Sequence, residues 1–146
     1  MSYEWVHDPK GEEPAVKVQD AMTQNVLTLT PGRTLREAAE FMCKHNVGAA
    51  VIIDPEQPGP GIITERDLVR ALGSGRDPDS DEVKDHLTGA AVYADCDWDL
   101  DEAADTMAAR GFRHLVVLRD GEVTGIISMR DLINVWRPAG VRASQR

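Results

Sequence analysis

Two short stretches hold the residue types best suited to chemistry: Thr64-Glu65-Arg66-Asp67 and Ser128-Met129-Arg130-Asp131. In each, a hydroxyl stands three residues before a carboxylate and directly follows an apolar Gly-Ile-Ile run, at Gly61–Ile63 and at Gly125–Ile127. The spacing fits the start of a helix, with the hydroxyl as N-cap and the carboxylate at the third helical position, where both satisfy amides that the first turn leaves without partners. At the mouth of a cleft the same groups could also bind a ligand. A carboxylate can accept both hydroxyls of a ribose, and a hydroxyl with free amides at a helix start favours phosphate oxygens.

No catalytic constellation accompanies these turns. Ser128 follows no Gly-x-Ser-x-Gly elbow, no Cys/His pair is set by spacing, and the glycines form neither a P-loop nor a dinucleotide fingerprint. The acidic run Asp95-Cys96-Asp97-Trp98-Asp99-Leu100-Asp101 resembles a calcium loop until its key positions are checked, where Leu100 and Thr106 stand in place of the required Gly and Glu. It reads instead as acidic residues leading into a helix N-terminus. His7, His45 and His86 share no metal-ligand spacing, and Cys43 and Cys96 lie far apart in no ligand motif, so they read as two reduced thiols.

The elements that position the two turns occur twice. At a shift of about 65 residues, Val18-Gln19-Asp20-Ala21-Met22-Thr23 falls on Val83-Lys84-Asp85-His86-Leu87-Thr88, and Thr34-Leu35-Arg36-Glu37 falls on Asp99-Leu100-Asp101-Glu102. The register then slips by one, because the loop Asp54 to Pro60 is one residue longer than Arg119 to Thr124. Each copy predicts strand, helix, strand, strand, helix. The first strands are Val26–Leu29 and Ala91–Ala94. The first helices open on the capping boxes Thr34-x-x-Glu37 and Asp99-x-x-Glu102 and continue with one apolar stripe. The runs Ala49–Ile53 and Leu115–Leu118 then turn back into Gly61–Ile63 and Val123–Ile127, the second through the hairpin signal Asp120-Gly121. The last helices follow Thr64 and Ser128, and Pro138 ends the final one. The expected division is a tail over 1–16, a first repeat over 17–73, a Gly/Pro/Ser/Asp-rich linker over 74–82, a second repeat over 83–136 and a tail over 137–146.

A unit of this order used twice, each copy ending in Gly-Ile-Ile-Thr/Ser-x-x-Asp-Leu, resembles the cystathionine-β-synthase (CBS) domain pair, also called a Bateman module, from about Val18 to about Val135. Many family members carry a proline in the middle strand, where this chain has Ala50 and Val116. The resemblance implies an α/β (α+β) fold of two β-α-β-β-α repeats packed pseudo-symmetrically through their sheets. It also implies an adenosine-containing ligand in the cleft between them, such as AMP, ADP, ATP, S-adenosylmethionine or NAD(H), acting as regulator with no cofactor required. By the same resemblance, Thr64 and Asp67 would share a pocket with Val92, Arg113 and His114, while Ser128 and Asp131 would face Val26, Leu27, Val47 and Gly48. Arg113 and His114 would favour a phosphorylated ligand in the first pocket. A homodimer is implied, with Leu68, Leu72, Leu132 and Trp136 as candidate apolar contacts, together with an unidentified protein effector. A ligand-free dimerisation or interaction scaffold is the alternative.

Composition narrows the function classes further. The net charge of -9 argues against a dedicated nucleic-acid binder, which needs a concentrated basic face. No apolar run approaches the roughly 18 residues of a membrane span. The first residues, among them Glu4, His7, Asp8, Glu12 and Glu13, show no export signal. A soluble cytoplasmic protein that is not an enzyme, free of nucleic acid and membrane, is the expectation.

Overall fold

The computed structural model describes residues 15–88 and 92–136. The expected terminal tails up to residue 14 and from 137, the strand start at Ala91, the helix stop at Pro138 and His7 lie outside the described residues. Along the chain run α1 (Val18–Ala21), β1 (Thr28–Leu29), α2 (Leu35–His45), β2 (Ala49–Ile52), β3 (Gly61–Thr64) and α3 (Glu65–Gly73). A short 3-10 turn (Val83–Asp85) leads on to β4 (Tyr93–Asp95), α4 (Leu100–Arg110), β5 (His114–Arg119), β6 (Glu122–Ser128) and α5 (Met129–Trp136). The duplicated β-α-β-β-α order is therefore present. It forms a mixed α+β fold with two three-stranded sheets, β1-β2-β3 and β4-β5-β6.

The helices begin where the capping boxes place them. The Thr34 hydroxyl accepts from the Glu37 amide at 3.1 Å while Glu37 accepts from the Thr34 amide at 2.9 Å, and α2 ends on Asn46 in the left-handed conformation. Helix α4 opens on Asp99 and closes on left-handed Gly111. In the second hairpin, Asp120 and Gly121 have φ of 51° and 81°. Both central residues of a type I′ turn need positive φ, which is why this dipeptide set the turn. The β1 strand is shorter than Val26–Leu29, and β4 covers Tyr93–Asp95 of the described residues.

The described residues form two compact units that do not coincide with the sequence repeats: one within 24–93, and the other 15–23 with 94–136. The lead-in to each repeat packs with the strands of the other repeat. In the first unit, 24–93, Val83 donates its amide to the Arg33 carbonyl at 2.8 Å, and the Thr88 amide bonds the Ile62 carbonyl at 3.0 Å. In the other unit the Val18 amide bonds the Trp98 carbonyl at 2.8 Å, and Thr23 and Ile126 exchange a pair of backbone bonds at 2.9 and 3.0 Å. Val16, expected in a loose tail, is fixed here as well, since its carbonyl accepts from the Leu100 amide at 3.2 Å.

The linker is likewise anchored. The first two amides of α2 have no partner within the helix. They are taken up by the linker, Leu35 by the Asp81 carbonyl at 3.0 Å and Arg36 by the Pro78 carbonyl at 2.9 Å, while the Arg36 guanidinium pairs with Asp79. Polar composition marks a segment that avoids the core, but backbone groups in that segment can still be the missing partners of a helix end.

Each unit has its own core. In 24–93 it consists of Leu29, Leu35, Ala38, Ala50, Ile52, Ile63, Ala71 and Val83, with Leu27, Phe41, Leu68 and Leu87 packed against it. In the other unit Val18, Ala94, Leu100, Ala103, Met107, Leu115, Val116, Val117, Ile127 and Leu132 are buried. The candidate contact set on the last helices needs correction: Leu132 is only 2% exposed and Leu68 packs on the core. The exposed apolar residues are Val69 and Leu72 on α3, and Met129, Ile133 and Trp136 on α5. An apolar residue on an amphipathic helix belongs to the core stripe unless its phase turns it outward, and at 3.6 residues per turn one position shifts a side chain by about 100°.

Candidate functional site

Both hydroxyl–carboxylate turns sit at a strand-to-helix junction and are built alike. Thr64 is the last residue of β3 and caps α3, and Ser128 is the last residue of β6 and precedes α5. The antiparallel register pairs Thr64 with Ala49 and Ser128 with His114. The strand beside each turn then supplies a carbonyl to the first helical amide. Gly48 accepts from Glu65 at 3.0 Å, and Arg113 accepts from Met129 at 2.9 Å. The third helical amide is also used: Asp67 donates to the Thr64 hydroxyl at 3.3 Å and Asp131 to the Ser128 hydroxyl at 3.2 Å. Two of the amides that might have met a phosphate are therefore already bonded, one to the neighbouring segment and one within the turn.

The carboxylates differ. Asp131 accepts two hydrogen bonds on Oδ2, from the Ser128 amide at 2.8 Å and the Ser128 hydroxyl at 3.0 Å. Asp67 accepts the matching pair from Thr64 at 2.8 and 3.0 Å and a third from the Thr88 hydroxyl at 2.7 Å, again on Oδ2. Asp67 is buried, with 8% of its surface exposed, whereas Asp131 is half-buried. Burying a carboxylate is costly unless donors surround its charge, and the third donor occurs at the more buried carboxylate. Thr88 was not singled out in the sequence as a site residue. The only available signal was its alignment with Thr23, since the contact spans 21 residues and depends on where the linker returns to the sheet.

The remaining candidates divide between the units. Val26, Leu27, Val47, Gly48 and Val92 belong to the unit of Thr64 and Asp67, whereas Arg113 and His114 belong to that of Ser128 and Asp131. Within 24–93, the Leu27 carbonyl accepts from the Val51 amide at 2.9 Å, and Val26, Leu27, Val47, Gly48 and Val92 are all half-buried. Arg113 is exposed and His114 half-buried. The expected grouping of Thr64 and Asp67 with Val92, Arg113 and His114 thus joins residues of different units, and of those three partners only Val92 shares the unit of Thr64 and Asp67.

Asp95, Cys96 and Asp97 each bring one ligand atom within 4.8 Å of the others. The Asp95 carboxylate, however, accepts the Asp97 amide at 2.8 Å, and Cys96 is buried. This is a turn capped by its first residue, as the acidic run suggested. No helix among the described residues is long and apolar enough to cross a membrane.

Comparison with known proteins supplies the family. A profile of the CBS domain matches residues 18–74 and again 83–137. An uncharacterized 17.7 kDa protein of Acidianus ambivalens is 41% identical over 119 residues, covering 81% of this chain and 71% of that protein. Among solved structures, the CBS domain protein PAE2072 from Pyrobaculum aerophilum, complexed with AMP, is similar with a TM-score of 0.73 and 28% identity, over 80% of this chain and 90% of that one. The CBS domain pair of protein MJ0100, in complex with 5-methylthioadenosine and S-adenosyl-L-methionine, is similar with a TM-score of 0.74 and 25% identity, over 84% and 97%.

Proposed function

Because the chain belongs to the CBS domain family as a tandem pair, we propose that it is a regulatory module that binds an adenosine-containing ligand, catalyses nothing itself and signals occupancy to a protein partner. The observation that carries this reading is the twofold occurrence of a fixed hydroxyl–carboxylate turn at the head of a helix, with Oδ1 of each aspartate free of hydrogen bonds among the described residues. Oδ1 of Asp67 and Asp131 is the acceptor for ribose hydroxyls. Thr64 and Ser128 hold the carboxylates in place, and Arg113 and His114 supply the positive and titratable groups for phosphate. The half-buried Val26, Leu27, Val47, Gly48 and Val92 supply apolar surface and close backbone for the adenine ring. The ligands of the two similar solved structures, AMP in one and S-adenosyl-L-methionine with 5-methylthioadenosine in the other, share the adenosine that this arrangement would read.

A bound nucleotide acts by favouring the conformation that holds it best, so the response is limited by the difference in affinity between conformations. The module works in the cytoplasm, and as a homodimer it would use the apolar residues exposed on α3 and α5, Val69, Leu72, Ile133 and Trp136. Those same residues support the alternative of a ligand-free interaction scaffold.

Thermal unfolding with AMP, ADP, ATP, S-adenosylmethionine and NADH separates the two readings. A ligand at 100 times its dissociation constant adds about 2.7 kcal/mol of stability. A rise in Tm with one of the five, lost when Asp67 and Asp131 are both replaced by Ala, is the expected outcome. Indifference to all five would leave the scaffold.

A further inference from the structure

We propose that Thr88 is a positioning residue for the ribose-reading carboxylate of Asp67 and makes the first turn more selective for ribose than the second. The inference rests on the reading of Asp67 as a ribose contact. Thr88 comes from the lead-in to the second repeat, 21 residues beyond the aspartate, and its hydroxyl donates to Asp67 Oδ2 at 2.7 Å. Its backbone is tied to the strand that carries the turn, the Thr88 amide bonding the Ile62 carbonyl at 3.0 Å. The donor is therefore fixed with respect to β3 and approaches the carboxylate from a different chain segment than Thr64 does.

The geometry decides what Asp67 can offer. Donors from Thr64 alone come from a single residue and constrain the carboxylate less than donors from two chain segments. A third donor from elsewhere fixes the plane and so fixes Oδ1, the oxygen without a hydrogen bond among the described residues. Among the described residues the second turn lacks this device. Thr23, the repeat counterpart of Thr88, is held to Ile126 by backbone bonds at 2.9 and 3.0 Å. Yet Thr23 is exposed, and both hydrogen bonds recorded on Asp131 come from Ser128. The two aspartates are thus the same residue in the same local motif, one clamped from two segments and one from a single residue.

The test uses the full chain carrying Asp131→Ala, so that binding reports the first turn, with AMP and 2′-deoxy-AMP as calorimetric probes. Thr88→Val keeps the shape and removes the hydroxyl, and Thr88→Ser restores it. The expected result is that Thr88→Val weakens AMP binding about fivefold to twentyfold, short of the roughly hundredfold that a 1 Å misplacement can cost. The preference for AMP over the deoxy probe should shrink with it, and Thr88→Ser should retain both. An unchanged preference in Thr88→Val overturns the role of Thr88 and leaves Asp67 as a ribose contact. Equal binding of the two probes before Thr88 is touched, or no binding, overturns the ribose reading instead. In that case a double-mutant cycle on urea unfolding, Thr88→Val against Asp67→Ala, still decides whether the clamp exists: coupling of about fivefold or more in the unfolding constant supports it, and additivity removes it.

Discussion

The turn at Thr64–Asp67 and the turn at Ser128–Asp131 are near copies in sequence, register and capping, yet among the described residues the carboxylate of the first is held from two chain segments and that of the second from one. Asp67 is buried and held by two segments, whereas Asp131 is half-buried and held by its own neighbour. Duplication therefore preserves the local motif, while the environment of each copy is set by what the chain lays over it. A similar contrast runs through the neighbouring glycines. At Gly61 an added methyl would meet the flexible end of Leu87 at 2.8 Å, whereas at Gly125 it would meet Met22 Sδ at 2.6 Å and the Thr23 backbone carbonyl at 2.8 Å.

Replacing the matched core residues Ile63 and Ile127 by Ala, one at a time, should have the largest effect. Each is fully buried and each loss should cost about 2–5 kcal/mol in urea unfolding. A large difference between them would show that the two cores are less alike than their strands. Asp67→Ala should cost about 2–4 kcal/mol, because it strands three half-buried donors, the Thr64 amide and hydroxyl and the Thr88 hydroxyl, against about 1 kcal/mol for Asp131→Ala, which removes an ordinary helix-start carboxylate. Equal losses would erase the distinction between the turns. Gly125→Ala should destabilise by about 1–3 kcal/mol, since a backbone carbonyl cannot move aside without breaking the Thr23–Ile126 pair, and Gly61→Ala by less than about 1 kcal/mol, because Leu87 can rotate away.

The smallest effect concerns the anchored linker. The Arg36 guanidinium, chiefly by hydrogen bonding, holds the Asp79 carboxyl below the usual carboxylate range; burial opposes this, and the guanidinium charge adds the smallest share. The stabilisation is complete above the ordinary aspartate range and fades as pH falls through the lowered value, where the carboxylate is protonated in the folded chain. Exposed pairs contribute little, so Asp79→Asn should flatten the acid limb of the stability–pH profile only slightly. A profile identical to that of the unaltered chain would mean that the pair contributes nothing.

Most of the secondary structure was legible because it follows from local rules. The boxes at Thr34–Glu37 and Asp99–Glu102 set the helix starts, and Asp120-Gly121 set the hairpin, because only such residues accept positive φ at both central positions. The family resemblance was legible in the doubled Gly-Ile-Ile-Thr/Ser-x-x-Asp-Leu, which the profile matches over both repeats. The outward phase of α3 and α5 was harder to read. Leu68 and Leu132 are apolar like their exposed neighbours Val69 and Ile133, and only packing chooses which of two adjacent apolar residues faces in. The anchoring of the linker was not legible, because composition reports side chains, whereas its backbone gives carbonyls to α2.

The residue sequence by itself determined that one unit occurs twice, where the two main helices of each copy start, and that each copy ends in a hydroxyl–carboxylate turn, because caps, turns and periodicity act over a few residues. Tertiary structure alone decided that the lead-in of each repeat packs with the strands of the other repeat, and that Thr88 reaches Asp67 while Thr23 leaves Asp131 to Ser128. Those contacts join residues far apart in the chain, and their energy comes from burial and fixed direction, which no local pattern encodes.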